Sequence, residues 1–474
     1  MYVRPKAYGI RSMFFRRCVS DIYGGEFVGR KDSPMEKQAI SSYDEAVEYI
    51  FNVPRFTKKN TMADTKAFLE KLGNPDLGLR IIHVAGTNGK GSVCAYMRNI
   101  LETAGNRVAV FTSPHLVDVR ERFMIDGEMI SKQAFYEAFQ VIYNLLNWEE
   151  LEAGEGYHPT FFEYMFFIAM LVFKEAAPDF CILETGLGGR LDATNAVSKK
   201  ELAVITRISL EHTEYLGDSL EEIAGEKAGI MAQNTPVVFA DTQKEVTQVF
   251  IERAKDLSCQ CYPVSKSHYT LLNFKNKSID FSYVSRYDYN VKIHLNTLAK
   301  YQVENCALAL RAIEVLDVDR KITPEVLAKG VEQTFWPGRM EEVLPEIFVD
   351  GAHNADGVRA FLETVREDAF EGKRSLLFSV VSDKDYAQML RKIAESGLFH
   401  KIYLAQMGNY RATALEEMKR HLPESFKGEV VLCDSVKAAF EEVKVKKLKD
   451  ERVYIVGSLY LVGEIKEYVN DDKL

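Results

Sequence analysis

His83-Val84-Ala85-Gly86-Thr87-Asn88-Gly89-Lys90-Gly91-Ser92 is the stretch that decides the fold. A short apolar run over 80–85 leads into it and a helix-compatible run over 92–104 leads out, so the glycines fall in a strand–loop–helix turn. In such a turn consecutive backbone N–H groups converge on phosphate oxygens, and the helix N-terminus adds positive potential. Lys90 supplies a point charge. Thr87, Asn88, Gly89, Lys90, Gly91 and Ser92 are therefore the expected contacts to a nucleotide, read as ATP. The usual phosphate loop carries Gly six residues before its Lys and Ser or Thr directly after it. Here Val84 and Gly91 hold those places, a variant that argues against GTPases and motor ATPases.

Outward from the loop, short buried-looking strands at 108–112, 180–184, 202–208 and 237–240 alternate with helical patterns at 132–146 and 160–174. The alternation predicts an α/β fold with a mainly parallel sheet covered by helices on both faces. Tyr269, Phe274, Phe281, Tyr283, Tyr287, Tyr289 and Ile293 recur in short polar-interrupted runs over 262–295, which predicts antiparallel hairpins beside the first domain. Trp336-Pro337-Gly338 reads as a linker, since Pro restricts helix continuation and Gly permits unusual dihedrals. A second α/β series follows, with strands at 347–350, 376–381, 401–405, 430–433 and 454–457. The expected organisation is an N-terminal extension over 1–36, an ATP-binding domain over 37–335 and a smaller Rossmann-like domain over 340–474.

The chain of 474 residues has a formal net charge of -9, which argues against a nucleic-acid partner whose affinity would rest on Lys and Arg. Any anionic ligand must be met by a local site. The seven Cys lack metal-site spacing and read as reduced thiols. No apolar run reaches the ~18 residues of a membrane span; the longest, 161–173, is broken by Glu163 and suits a buried helix. No membrane partner is expected, and a cytoplasmic setting is. Arg4, Lys6, Arg11, Arg16 and Arg17 make the start basic without a sustained apolar stretch behind them, which argues against a secretory signal. An Arg-rich presequence and a disordered extension, with Met35 as an alternative start, both remain open readings.

Several further blocks stand in order along 43–469. They are Thr112-Ser113-Pro114-His115-Leu116, the run Glu184-Thr185-Gly186-Leu187-Gly188-Gly189-Arg190-Leu191-Asp192-Ala193-Thr194-Asn195, His212-Thr213 with Leu216-Gly217, and Glu226-Lys227-Ala228-Gly229-Ile230. Pro337-Gly338-Arg339, Asp350-Gly351-Ala352-His353-Asn354, Asp383-Lys384-Asp385 and Gly457-Ser458-Leu459-Tyr460 complete the set. Together with the loop, these blocks resemble the folylpolyglutamate synthase and dihydrofolate synthase family of the Mur ligase superfamily.

The resemblance implies a Mur-ligase-like fold and an ATP-dependent ligase that adds L-glutamate to a reduced folate or dihydropteroate through an acyl phosphate. It implies magnesium at Ser113, Glu184 and His212, and a carbamylated Lys227 helping to hold metal; Lys90, Lys227 and His212 become the catalytic set. It places Asn305 near the adenine, Arg339 at the phosphates, Asp350 at the ribose and His353 beside the nucleotide. His158-Pro159-Thr160-Phe161-Phe162-Glu163 resembles the folate-side segment, so Phe161, Glu163 and Asp192 are expected there. The family is usually monomeric. Read without the resemblance, His212 is a surface or structural His, Lys227 a helix-end partner of Glu226, Asp350-Gly351 a turn and the Phe cluster helix core. Two departures stand out: Glu211 replaces the Asp usual before the metal His, and Ala299-Lys300-Tyr301-Gln302 lacks the usual Gly and His. The rival functions are a Mur-type ligase on a cell-wall peptide precursor and a nucleotide switch that ligates nothing.

Overall fold

The computed structural model describes residues 37–53, 60–275, 277–287, 290–382, 384–408 and 412–471; the N-terminal extension, Tyr289 and Asp383 lie outside the described residues. The first sheet is built from Ile81–Ala85 (β1), Val108–Phe111 (β2), Phe123–Ile125 (β3), Glu128–Met129 (β4), Phe180–Glu184 (β5), Leu202–Ile205 (β6), Val237–Ala240 (β7) and Cys261–Val264 (β8). Its order is β4-β3-β2-β5-β1-β6-β7-β8, parallel from β2 to β8, with β3 and β4 as an antiparallel hairpin on one edge.

Side-chain alternation decides what each face carries. In β1, Ile82 and Val84 join one core with the helices Lys90–Thr103 and Gln302–Leu316. Ile81 joins the other core, with Tyr43–Asn52, Lys132–Asn144 and Phe161–Ala176. Both faces are thus covered, as buried apolar strands require. β1 lies between β5 and β6: the chain leaves β1 toward β2 on one side and later crosses from β5 to β6 on the other. The carboxyl ends of these three strands therefore open a crevice of the kind where ligands of α/β sheets bind.

Tyr269–Lys275 (β9), Ser278–Val284 (β10) and Asn290–Leu295 (β11) form the expected antiparallel meander. Ile279, Phe281 and Tyr283 point inward at period two and pack into the same core as Gln302–Leu316. β8, inside the stretch expected to be hairpins, instead pairs in parallel with β7.

The second α/β unit contains Glu341–Leu344 (β12), Ile347–Asp350 (β13), Lys373–Phe378 (β14), Lys401–Ala405 (β15), Glu429–Cys433 (β16) and Glu451–Val456 (β17). The order is β12-β13-β17-β14-β15-β16, all parallel except the edge strand β12. Its last helix, Leu459–Asp471, returns to the first unit: a Cβ on Gly463 would stand 2.3 Å from the Leu116 carbonyl, so only glycine permits that approach. Leu298 and Ala299 are also buried in this unit's core. The carboxyl end of β13 faces the carboxyl ends of β1 and β6, and the candidate site lies between them.

Candidate nucleotide and ligase site

Gly89 begins the helix Lys90–Thr103 with φ of 92°, a left-handed conformation that favours glycine, and a Cβ there would stand 2.3 Å from Asn305 Oδ1. Gly91 lies under the indole of Trp336; a Cβ would come within 2.5 Å of it. This close packing explains Gly where other phosphate loops carry Ser or Thr. The loop is tied to the end of β6: Thr87 N and Asn88 N donate to the Arg207 carbonyl, Thr87 Oγ1 donates to Ser209 O and Thr206 Oγ1 donates to Asn88 O. The N–H groups from Gly89 onward are those a helix start leaves without intrahelical partners, and they are the ones placed for phosphate. Gln302 donates to Ser92 Oγ at 3.0 Å and accepts from Asn305 Nδ2 at 2.9 Å, which joins these two expected nucleotide contacts.

Two ammonium groups meet beneath the loop. Lys90 Nζ donates to Gly86 O at 3.1 Å and Lys227 Nζ to the same oxygen at 2.8 Å. Lys227 is only 4% exposed, and burial reinforced by Lys90 pushes its pKa down to about 7. Glu184, at the end of β5 and 3% exposed, accepts the Ser113 amide at 3.0 Å. Burial raises its pKa, offset by Lys90, the Ser113 amide, Arg339 and Arg122. His212 takes a left-handed φ of 53° and starts the short helix Thr213–Leu216. Burial and then Lys384 push its pKa down to about 4, so the imidazole is neutral near pH 7. Lys90, Lys227, Glu184, Ser113 and His212 are thereby gathered at the strand ends.

The second unit supplies the opposite wall. Arg339 NH1 donates to Gly338 O at 2.9 Å and lies against Gly351, whose added Cβ would stand 2.3 Å from it. Asp350 is buried and accepts from Tyr301 Oη at 2.5 Å, Met340 N at 3.0 Å and Ala352 N at 2.9 Å. Tyr301 thus spans from the first unit to Asp350, a link that the departure at 299–302 gave no means of foreseeing. His353 Nε2 stands 3.2 Å from Glu211, and Lys384 Nζ 2.9 Å from the same carboxylate.

On the acceptor side, Phe161 packs edge-on to Phe51 at 5.2 Å and under the Arg122 guanidinium at 5.5 Å from its centroid. Glu163 points inward and accepts from Thr65 Oγ1, Asn60 Nδ2 and Thr160 N, the last closing a capping box on Phe161–Ala176. Asp192 is likewise buried, accepting from Gly186 N, Leu187 N and Thr194. Phe161 packs against Phe51 and Arg122, whereas the Glu163 and Asp192 carboxylates hold a helix cap and a loop. Arg122 was not singled out in the sequence. It is buried, donates to His115 Nδ1 at 2.8 Å and acts electrostatically on Glu184; no motif marks it.

A parallel-sheet unit whose phosphate loop is closed by the strand ends of a second, smaller unit is the architecture of a Mur-type, ATP-dependent ligase. Residues 84–313 match the Mur ligase middle domain and residues 338–459 the Mur ligase, glutamate ligase domain. The dihydrofolate synthase/folylpolyglutamate synthase of Bacillus subtilis is 34% identical over 439 residues, covering 90% of this chain and 99% of the relative. The folylpolyglutamate synthase of Mycobacterium tuberculosis complexed with ADP and AMPPCP superposes with a TM-score of 0.80 at 25% identity, covering 90% of this chain and 97% of that one. E. coli FolC in complex with DHPP and ADP gives a TM-score of 0.78 at 26% identity over 92% of this chain and 100% of that one. The chain belongs to the folylpolyglutamate synthase/dihydrofolate synthase family and is an ATP-dependent, amide-forming ligase.

Proposed function

We propose that the chain joins L-glutamate to dihydropteroate or a reduced folate through an acyl phosphate. The observation that carries this reading is the pair Lys90 and Lys227 on one loop carbonyl, with Arg339 opposite. The relatives named above for folylpolyglutamate and dihydrofolate synthesis, and the FolC complex with DHPP and ADP, support the acceptor class.

In the first step an acceptor carboxylate oxygen attacks the γ-phosphorus of ATP, the bond to the bridging oxygen breaks and ADP leaves. The neutral amine of glutamate then attacks the acyl carbon, inorganic phosphate departs and the amine proton is lost. Carboxylate is a poor electrophile, so phosphorylation supplies the leaving group. Lys90 and Arg339 neutralise charge and hold the reacting groups in line. Asn305, Asp350 and His353 contribute the base and ribose side.

Ser113, Glu184 and His212 fit a magnesium site: a hydroxyl, a buried carboxylate and a neutral imidazole. Among the described residues no three His, Cys, Asp or Glu side chains form a cage; magnesium ordinarily keeps several waters and substrate phosphate oxygens in its shell. Bound there, magnesium would neutralise phosphate charge. Lys227 fits carbamylation because its lowered pKa provides the unprotonated amine a carbamate needs. Phe161, beside Arg122, supplies an aromatic ring on the side read as the pterin's, while Glu163 and Asp192 shape that side from within. The chain is read as a monomer working in the cytoplasm, where ATP is available; among the described residues no helix is long and apolar enough to cross a membrane.

ADP release is measured with dihydropteroate, tetrahydrofolate or a nucleotide-linked muramoyl precursor, each with and without L-glutamate. Glutamate-dependent release with a pterin acceptor is expected. Product from the muramoyl precursor alone would transfer the reading to the cell-wall branch, and turnover needing neither substrate would make the chain a switch.

A further inference from the structure

Asn88 sits in the phosphate loop, yet its side chain turns away to the second unit. Its Nδ2 lies 3.1 Å from Asp356 Oδ2, 3.2 Å from Ser209 Oγ and 3.3 Å from Asn354 Oδ1, three acceptors that share its two hydrogens, and its Oδ1 accepts from Asn354 Nδ2 at 3.0 Å. Chemistry fixes both amide orientations. The Asp356 carboxylate only accepts, so the NH2 of Asn88 must face it. Asn354 Oδ1 accepts Gly357 N at 2.8 Å as the N-cap of Ala355–Glu367, so the NH2 of Asn354 is the group left to face Asn88. Asn354 is buried, and flanking pairs repeat the crossing. Arg207 reaches Asp356 at 3.6 Å, and Glu211 receives Lys384 at 2.9 Å and His353 at 3.2 Å.

We infer that Asn88 and Asn354 form an interdomain clasp, through which docking of the second unit sets the shape of the phosphate loop. Both are positioning residues for phosphoryl transfer, and neither side chain is a nucleotide ligand. The clasp places the loop and the Arg339–Asp350 wall in one rigid relation before chemistry. A loop released from Asn354 retains its glycines and Lys90 but loses its alignment with Arg339. The inference rests on the ligase reading given above.

The test is a double-mutant cycle on the full chain with Asn88→Ala and Asn354→Asp. Asp caps a helix as well as Asn does, so Asn354→Asp keeps the helix start while removing the donor and setting a carboxylate against Asn88 Oδ1. Each single variant is expected to lower kcat for glutamate-dependent ADP release roughly 10- to 100-fold. The KM for ATP should move little, and thermal unfolding should stay near wild type. The double variant should lose less than the product of the two single losses, because the two changes share the Asn88–Asn354 contact. Multiplying effects, or an Asn354→Asp enzyme with wild-type kcat, would overturn the clasp; so would a rise in the KM for ATP confined to Asn88→Ala. Small-angle scattering without substrates supplies a second readout, in which Asn354→Asp should enlarge the radius of gyration. If the wild type shows no glutamate-dependent ADP release, the ligase reading has failed. Scattering then decides the clasp alone, and an unchanged radius overturns it.

Discussion

Lys90 and Lys227 both donate to the Gly86 carbonyl. Lys227 is the buried one, and burial, reinforced by the charge of Lys90, brings its pKa down to about 7. Its neutral form is a minority well below pH 7 and predominates above it. Carbamylation, which needs that form, is therefore expected to rise with pH through about 7 and to fall away on the acid side. Carbon-13 bicarbonate labelling followed by NMR, beside a pH–rate profile with and without added bicarbonate, checks this. A label that stays constant from pH 6 to 8 would contradict it. Lys90→Ala should lower kcat by about 10²- to 10³-fold, the usual loss for a group that meets developing charge; a steady-state assay at saturating ATP measures it. Lys90 and Glu184 were legible in the sequence because a motif or a strand end marked them. Arg122, Tyr301 and the orientation of Asn88 were not: Tyr301 and Asn88 are defined by partners distant in sequence, and the pairing of Arg122 with nearby His115 follows no recognised motif.

At the scale of elements, the strands that could be read were short apolar runs buried on both faces. β3 and β4, of three and two residues, are too short to show a period, and β12 is a partly exposed edge. The run over 202–208 reads as strand throughout but pairs only to Ile205. Beyond it Thr206, Arg207 and Ser209 turn to bind the phosphate loop. The signature Thr160-x-x-Glu163 carried a capping message as well as a folate-side one. Glu163→Ala should cost about 1–3 kcal/mol of stability, because three donors lose a buried acceptor. Denaturant unfolding reads that loss, and the KM for ATP should stay near wild type. Unchanged stability would mean that the cap is not formed.

For the whole molecule, the order of the two units and the Trp336 linker were visible in the sequence, and their mutual placement was not. It depends on pairs such as Asn88 with Asn354, 266 residues apart. The same junction carries an acidic contact. Glu467, on the last helix, has its pKa raised to about 7 by burial first and then by Glu464, Asp471 and Glu121 of the first unit. Since this folded value lies above the ordinary 4.5, the folded protein favours the protonated carboxyl. Its stabilising share is full below the ordinary value and is lost as pH rises through about 7. Glu467→Gln should flatten that dependence, with melting temperatures from pH 5 to 8 as the measure. A slope identical to wild type would exclude Glu467 as its source.

The indole packed on Gly91 also gives the protein an optical gauge of its own loop. The chain has two Trp, and the other, Trp148, lies against Tyr143 at 4.7 Å between ring centroids. Trp148→Phe would leave Trp336 as the sole indole emitter, set between the linker and the residue that follows Lys90. A nucleotide phosphate arriving at that helix start alters the field around the ring. Titration with AMPPCP should therefore shift the emission maximum and saturate with the same midpoint as binding measured by calorimetry. One spectrum would then report the occupied loop and the settled linker together, with no dye attached.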